Sequence, residues 1–312
     1  MPAAIDALAP AKTLATFRDV RRGAHAAGPK RVAIVDADDE VALVAGSCAM
    51  QEEIAVPVLI GDEERIRARA ESLGLNELTR RAEFISTDTP AETAVQLARE
   101  GTVDILMKGH LRTDQLLRPV LDKNIGLRAG RLLCDVGVCE FRAESNPRLV
   151  ALSDGGINVA PTLEQKQQIL LGGLSVLRAL GIERPRVAVM SALEVVTDAM
   201  PSTVEAAAIT AWAAQNCPGA EVYGPLALDN ALFEAAARAK RITHSVAGHA
   251  DFLLMPNIEA GNMLGKSILF LAHWPFAHIV VGARVPILIP SRVERPEDKL
   301  NSIALGVLYA SR

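Results

Sequence analysis

The sequence predicts an α/β fold, because short β-branched runs alternate with Ala/Leu/Glu-rich helical stretches from about residue 30 onward. This alternation is typical of βαβ units that build a mostly parallel sheet. A length of 312 residues, of which 50% are hydrophobic, provides for a sizeable core and favours two domains over one. We therefore expect two α/β domains.

The first half of the chain contains four apolar runs of strand composition, each followed by a segment of helical composition. The runs predict strands at 31–37, 57–62, 82–87 and 103–109, with helices at 40–54, 63–73, 91–100 and 113–122. Parallel strands need crossover connections of this kind, which pass over one face of the sheet.

Two apolar runs between residues 132 and 159 depart from the alternation, because they flank the polar stretch 142–148. This arrangement indicates a hairpin or a passage between strands rather than a further βαβ unit. We expect a domain boundary near Asn146, which divides the chain into an N-terminal α/β domain at 1–145 and a second α/β domain at 146–292.

A second α/β series follows the boundary. It predicts helices at 163–180, 203–215, 231–240 and 259–272, and strands at 186–192, 221–228, 251–257, 278–283 and 286–290. The closing segment, 296–310, is amphipathic and has Pro296 and acidic residues in its first turn, which favours a helix.

Charge and aromatic content argue against nucleic-acid binding. The chain has 33 Lys and Arg residues against 37 Asp and Glu, a formal charge of −4, and 4% aromatic residues. It lacks the basic field and the stacking rings that nucleic-acid partners need. Small-molecule chemistry becomes the leading hypothesis.

The sequence also argues against secretion, membrane insertion and metal binding. Residues 1–23 mix acidic and basic side chains with no apolar stretch before a cleavage site. The richest apolar segment, 268–281, is interrupted by two histidines and a proline, and a bilayer span takes roughly 20 apolar residues. Four cysteines without CxxC spacing and histidines without HExxH spacing predict reduced thiols, a cytoplasmic location and no metal site.

One motif resembles a phosphate loop. Residues 260–267 (AGNMLGKS) fit the loop of nucleoside triphosphatases, except that Ala260 stands at the first glycine position. The motif lies late in the chain, and the strand that follows, 286–290, has no acidic residue to bind a metal ion. These two facts disfavour ATP hydrolysis.

A second motif combines Ser291 and Arg292 at a predicted strand end. An arginine fork and a serine hydroxyl both suit phosphate, and Lys108 ends another predicted strand, where phosphate sites of open α/β sheets lie. The alternative is an ordinary helix start, because Glu297 and Asp298 follow in a first turn.

Five segments together resemble the phosphate acetyl/butyryltransferase family, and more closely its butyryltransferase branch. They are LMKGHLRTDQLLRPVL (106–121), SDGGINVAPT (153–162), GPLALDNA (224–231), VAGHADFLLMPNIEAGNMLGKS (246–267) and VPILIPSRVERPEDKLNSIALG (285–306). The resemblance implies two α/β domains around a cleft, in an isocitrate/isopropylmalate dehydrogenase-like architecture. It also implies that the C-terminal helix, 293–312, completes the first domain and that the second domain carries a homodimer interface.

The resemblance implies roles for single residues. The family's catalytic Ser-Arg pair falls on Ser291 and Arg292, and its catalytic aspartate, six residues after that arginine, falls on Asp298. Arg118, in the first segment, is implied to bind CoA or the acyl phosphate. Where relatives have a serine before the domain crossover, this chain has Leu-Cys-Asp at 133–135, and an acid there would oppose an anionic substrate.

Five further residues are expected to bind the substrate. Asp154 and Asn158 have turn composition, and the resemblance implies a place in the cleft for them. Asn262 and Lys266 lie where a strand meets a helix that points into the cleft, although ordinary helix positions are the alternative. Lys108 at its strand end completes this set.

The implied reaction is acyl-CoA + phosphate = acyl phosphate + CoA, for acyl groups from acetyl to butyryl, with CoA as a substrate and no other cofactor. Asp298 would accept the thiol proton, Arg292 and Arg118 would hold the phosphoryl group, and Ser291 would donate to the phosphate or the developing oxyanion. Two alternatives stay open. One is a non-catalytic ligand-binding protein on the same scaffold, and the other is a metal- and NAD-dependent hydroxyacid dehydrogenase, which the lack of a DxxxD pair on a predicted helix disfavours.

Overall fold

The computed structural model describes residues 13–143, 147–291 and 293–312. The strands of its sheet, in chain order, are β1 (Lys30–Val35), β2 (Ala55–Gly61), β3 (Glu83–Ser86), β4 (Ile105–Lys108), β5 (Cys134–Phe141), β6 (Arg148–Ser153), β7 (Arg186–Met190), β8 (Glu221–Leu226), β9 (Phe252–Leu254), β10 (Phe276–Val281) and β11 (Ile287–Leu288). They form one sheet in the order β3-β2-β1-β4-β11-β10-β5-β6-β9-β7-β8.

Helices connect these strands. Within the described ranges they are α1 (Phe17–Ala27), α2 (Glu40–Gln51), α3 (Glu63–Ser72), α4 (Asn76–Arg81), α5 (Pro90–Arg99), α6 (Thr113–Val120), α7 (Leu163–Ala179), α8 (Pro201–Asn216), α9 (Leu228–Leu232), α10 (Glu234–Ala239), α11 (Ile258–Ser267) and α12 (Pro296–Ala310). A π-helical segment, Ile268–Ala272, continues α11.

The two halves of the sheet are parallel, whereas its centre is antiparallel. β1 pairs in parallel with β2 and β4, and β9 pairs in parallel with β6 and β7. At the centre, β5 pairs antiparallel with both β6 and β10. The α/β prediction is confirmed, and the β5–β6 pair confirms that the chain reverses between residues 132 and 159.

The division into two domains stays a prediction, and Asn146 lies outside the described residues. Hydrogen bonds continue from β4 through β11 and β10 to β5. The sequence puts β10 and β11 in the second domain, yet both lie at the centre of the sheet, and β11 pairs in parallel with β4 of the first half.

Two helices are missing from the sequence prediction, and one predicted helix is broken. α1 has a mean composition too polar to stand out, but Thr16 and Asp19 form a capping box at its start and Phe17, Val20 and Ala24 make a narrow buried stripe. α4 is only six residues long. The predicted helix 231–240 is divided into α9 and α10, because Phe233 is extended between them.

The last helix packs against the first half of the chain. α12 contacts α1, α2 and β10. Lys299, of which 1% is exposed, makes an ion pair with Asp39 at the start of α2, with 2.8 Å between Nζ and Oδ1. This buried pair fixes the position of α12 beside the carboxyl end of β1. Among the described residues, no helix has the length and apolar character needed to cross a membrane.

Candidate active site

A cavity of about 470 Å³, here named the polar cavity, opens where several strands end. β4 ends at Lys108, β6 leads into Gly155, and β11 leads into Ser291. Open α/β sheets bind their ligands at this kind of edge. The polar side chains that line the cavity are Lys108, Arg112, Thr113, Asp114, Asp135, Asn262, Lys266, His278, Ser291 and Glu294.

The start of α11 forms one wall of the polar cavity. Asn257 caps the helix by accepting a hydrogen bond from the backbone N–H of Ala260 at 3.0 Å. Gly261 packs on the loop after β6, where an added Cβ would lie 2.3 Å from the carbonyl oxygen of Asp154. Only glycine permits this approach. It places Asn262, whose Nδ2 donates to Gly155 O at 3.0 Å, and Lys266 on the cavity, and substrate contact by either residue stays a prediction.

The motif that resembles a phosphate loop is not a loop. Residues 260–267 belong to α11, so their backbone N–H groups beyond the first turn are used within the helix. A phosphate loop needs these N–H groups free to surround the phosphates. The structure therefore gives no support to a triphosphatase site at this motif.

Two basic residues near the end of β4 line the cavity. Lys108 is buried, with 5% exposed, and Arg112 stands at the start of α6 with its Nε 2.9 Å from Asp114 Oδ1. Arg112 was missed by the sequence reasoning, although its place four residues after Lys108 was a usable signal. Arg118 is exposed on α6 and is not among the residues that line the polar cavity.

The segment after β11 brings Ser291 to the cavity. Its backbone N–H donates to Glu294 Oε1 at 2.7 Å, and the N–H of Glu294 donates to Ser291 O at 3.3 Å. These two bonds close a tight turn that holds Glu294 against the cavity. Arg292, the expected partner of Ser291, lies outside the described residues.

Asp298 lies in the first turn of α12 and does not line the polar cavity. It is 1% exposed, and its Oδ1 accepts from the backbone N–H of Phe276 at 3.0 Å. Arg295 donates to it from Nε at 2.8 Å and from Nη2 at 3.1 Å. The carboxylate thus ties α12 to β10, and its role as a catalytic base stays a prediction.

Asp154 and Asn158 stabilise the loop that follows β6. Asp154 accepts from the N–H groups of Gly156 and Ile157, both at 2.8 Å, and from that of Asp135 at 3.1 Å. Asn158 Nδ2 donates to Asp154 Oδ2 at 2.6 Å. The side chains of Asp154 and Asn158 both make hydrogen bonds within the protein, and neither residue lines the cavity. Substrate contact by either residue stays a prediction.

Asp135, His278 and Glu294 form a charged row on the cavity wall that the sequence reasoning missed. His278 Nδ1 lies 3.3 Å from Asp135 Oδ1, and its Nε2 lies 3.6 Å from Glu294 Oε1. Burial by itself would lower the pKa of His278, but the two carboxylates outweigh it and raise the pKa to about 9. The imidazole is therefore cationic at neutral pH.

The charged row changes what Asp135 does to an anionic ligand. Alone, its carboxylate would repel phosphate, as the sequence indicated, but the His278 cation neutralises it. The neighbouring Cys134 is fully buried away from the cavity, and burial raises the pKa of its thiol, so this strand offers the cavity Asp135 and no serine-like group.

A second cavity, here named the apolar groove, lies on the other side of α11. Its volume is about 450 Å³, and its lining includes Cys139, Phe141, Phe233, Leu271 and Trp274. Leu271 is 79% exposed at its rim. In the part of the chain that the structure describes, no group of three or more His, Cys, Asp or Glu side chains is arranged to hold a metal ion.

Comparisons with known proteins give matches over most of the chain. Residues 78–307 match the family model described as "Phosphate acetyl/butaryl transferase". The chain is 39% identical over 294 residues to the phosphate acetyltransferase of Rhizobium meliloti, covering 93% of this chain and 92% of that protein.

A phosphate butyryltransferase and a solved phosphotransacylase structure are also similar to this chain. The chain is 39% identical over 287 residues to the phosphate butyryltransferase of Clostridium acetobutylicum, covering 90% and 93%. The crystal structure of a branched-chain phosphotransacylase from Enterococcus faecalis matches with a TM-score of 0.79 at 27% identity, over 90% of this chain and 99% of that chain.

Proposed function

The chain belongs to the phosphate acetyl/butyryltransferase family, and from this premise we propose that the polar cavity is its active site. The protein is an acyltransferase that moves an acyl group reversibly between CoA and phosphate, acyl-CoA + phosphate = acyl phosphate + CoA. CoA is a substrate in this reaction, and the proposal needs no other cofactor.

One observation carries the assignment of the site. The polar cavity gathers Lys108, Lys266 and Ser291 from three different elements at the strand ends. Cationic and hydroxyl donors in a concave site suit the phosphoryl group, which is a dianion at neutral pH. We propose that these side chains, with Asn262, bind the phosphate or the acyl phosphate, and that Arg292 joins them as the family motif implies.

The chemistry requires removal of a proton from the CoA thiol. A free thiol has a pKa near 8.5, and an ordinary aspartate has one near 3.9, so a carboxylate can accept this proton only during the attack. For Asp298 to do so, its ion pair with Arg295 would have to open. Arg118, Asp154 and Asn158 lie outside the residues that line the cavity, and contact of these side chains with the bound substrate is part of the proposal.

We further propose a homodimer that covers the apolar groove. The groove is almost wholly apolar and lies on the second half of the chain, where the family implies the dimer interface. Exposed side chains at and near its rim, Phe233 and Leu271, would be buried by a second copy. The free cysteines Cys48, Cys134, Cys139 and Cys217 support a reducing, cytoplasmic location.

The acyl group is proposed to range from acetyl to butyryl. Relatives named for each are equally similar to this chain. Gly265 lines the polar cavity and, having no side chain, leaves space there for an acyl chain, whereas Ala260 packs against the hydrophobic core. The longer acyl groups should therefore fit.

Initial rates of CoA release from acetyl-, propionyl-, butyryl- and hexanoyl-CoA with phosphate test the proposal. We expect turnover that depends on phosphate, with kcat/KM rising several-fold per methylene until the acyl pocket is filled, because each buried methylene contributes about 0.8 kcal/mol. Binding of CoA without turnover would support the non-catalytic alternative. Oxidation of a hydroxyacid with NAD and a divalent metal would support the dehydrogenase alternative.

A further inference from the structure

The three members of the charged row differ in how open they are to a ligand. The side chains of Asp135 and Glu294 are 3% and 1% exposed, whereas 21% of the His278 side chain is exposed. The loop after β6 covers Asp135 closely, since a Cβ added at Gly156 would lie 2.6 Å from its Oδ2. His278 lines the polar cavity from β10. A substrate in the cavity can therefore contact the imidazole more readily than either carboxylate.

The imidazole uses one ring nitrogen within the protein and leaves the other without an acceptor among the described residues. Nδ1 lies 3.3 Å from Asp135 Oδ1, within hydrogen-bond distance. Nε2 lies 3.6 Å from Glu294 Oε1, which is too long for a hydrogen bond, and that oxygen already accepts from the N–H of Ser291 at 2.7 Å. In the described part of the chain, the fully enclosed side-chain atoms that lack a partner include Glu294 Oε2 but not His278 Nε2. Nε2 is thus an accessible donor without an acceptor.

The groups around His278 keep it protonated. Burial by itself would lower its pKa, but Asp135 on β5 and Glu294 on the turn before α12 raise the pKa to about 9, against a smaller opposing effect of Lys266 on α11. From α12, the hydroxyl of Ser302 accepts from the backbone N–H of His278 at 2.9 Å. Both ring nitrogens therefore carry a proton at neutral pH, and Nε2 can make a charge-assisted hydrogen bond to an anion.

The proton on His278 also decides the net charge of the cavity lining. The other charged side chains on this lining are Lys108, Arg112 and Lys266, which are cationic, and Asp114, Asp135 and Glu294, which are acidic. Three charges of each sign balance, so without this proton the described lining has no formal net charge. With the proton the lining is positive, which attracts a phosphate dianion.

We propose, on the basis of the acyl transfer proposed above, that His278 binds the phosphoryl group of phosphate and acyl phosphate through Nε2, and that Asp135 is its positioning residue. Asp135 holds Nδ1 and thereby fixes the orientation of the ring. An aspartate in a phosphate site then supports binding, because it holds a cation between itself and the anion. His278 keeps both of its ring protons during acyl transfer.

His278→Gln tests the contact with phosphate. The amide retains a donor near the position of Nε2 but removes the charge, and we expect kcat/KM for phosphate to fall about 10–10²-fold in the reaction of butyryl-CoA with phosphate. KM for butyryl-CoA should change less than about threefold. CoA also carries phosphate groups, so a rise in KM for butyryl-CoA with unchanged kcat/KM for phosphate would place the imidazole at CoA and contradict the proposal.

His25→Gln is the matched control for this variant. His25 also lies near a carboxylate, with 3.9 Å between its Nδ1 and Glu53 Oε2, but it is outside the polar cavity. We expect the control to use phosphate as the wild type does. A folded His278→Gln variant that keeps kcat/KM for phosphate within about threefold of the wild type overturns the proposal.

Asp135→Asn separates a positioning role from a merely structural one. Loss of this carboxylate lowers the pKa of His278, so the alkaline decline in kcat/KM for phosphate should begin at lower pH than in the wild type. At the acidic end of the profile, where the imidazole is still protonated, the variant should approach the wild type. A loss of the same size at every pH contradicts the positioning role.

The wild-type protein provides a measurement that does not depend on the folding of any variant. Calorimetric binding of inorganic phosphate should weaken as the pH rises through about 9, because the imidazolium then loses its proton while phosphate stays a dianion and an ordinary lysine, with a pKa near 10.4, stays charged. Affinity that is constant from pH 8 to pH 10 overturns the proposal. A wild-type protein that binds phosphate but releases no CoA from acyl-CoA refutes the proposed function instead.

Discussion

The polar cavity and the apolar groove lie on opposite sides of one continuous helical segment and have nearly the same volume, about 470 and 450 Å³. α11 contributes Asn262 and Lys266 to the first, whereas Leu264 and, from the π-helical segment, Leu271 line the second. Side chains four apart share one helix face, so a single amphipathic helix separates the two. Volume alone therefore does not identify the active site.

The two cavities differ in the free energy needed to bury the side chains that line them. The polar cavity holds buried charges on Lys108, Asp135 and Glu294, and such groups are expensive unless they are paired or used. The apolar groove holds only side chains that a partner surface can cover favourably. The first arrangement fits catalysis on an ionic substrate, and the second fits association.

The largest effect is expected at the buried cation of the polar cavity. Lys108→Met retains the length of the side chain and removes its charge, and we expect kcat/KM for phosphate to fall about 10²–10³-fold, since losing one partner of a desolvated charge contact costs about 2–5 kcal/mol. Steady-state rates with varied phosphate measure this. Lys123→Met, at an exposed lysine outside the cavity, is the control, and equal losses in both variants would contradict a phosphate role for Lys108.

A smaller effect, and on association rather than turnover, is expected in the apolar groove. Leu271→Glu puts a charge where the proposed dimer buries a leucine, and burying a leucine contributes about 1.5–3 kcal/mol. We expect the dimer dissociation constant to rise about 10–10²-fold by light scattering or sedimentation, with activity per chain within about twofold.

The control for this experiment is Val195→Glu, at an exposed valine that does not line the groove. It should leave the oligomeric state unchanged. A wild-type protein that is monomeric at micromolar concentration, or a dimer that Leu271→Glu does not weaken, would show that the groove is not the interface.

The smallest effect is expected where α11 narrows the polar cavity. A Cβ at Gly265 would lie 3.8 Å from Phe276 Cζ, an ordinary contact, so Gly265→Ala should alter acyl preference less than about threefold. Gly265→Val extends further into the cavity and should lower the ratio of kcat/KM for butyryl-CoA to that for acetyl-CoA about tenfold, the worth of one to two methylenes. An unchanged ratio would place the acyl chain elsewhere.

Much of the fold followed from local patterns. The alternation of strands and helices and the reversal between β5 and β6 depend on residues close in the chain, and periodicity records such relations directly. For the same reason Ser291 and Asn262 could be placed at the cavity, because Ser291 directly follows a predicted strand and Asn262 lies in the first turns of the helix that follows another. The helices α1 and α4 were not predicted. The polar composition of α1 and the short length of α4 weaken the hydrophobic periodicity on which the prediction depends.

The charged row was decided by tertiary structure alone. Asp135 and His278 are 143 residues apart, and they meet only because β10 returns antiparallel beside β5 in the middle of the sheet. The turn at Ser291 then turns Glu294, rather than Asp298, toward the cavity. The hydrophobic periodicity of a sequence does not reveal which strands are neighbours in the sheet. The strand order is set by the burial of both sheet faces and by the long crossover connections between strands.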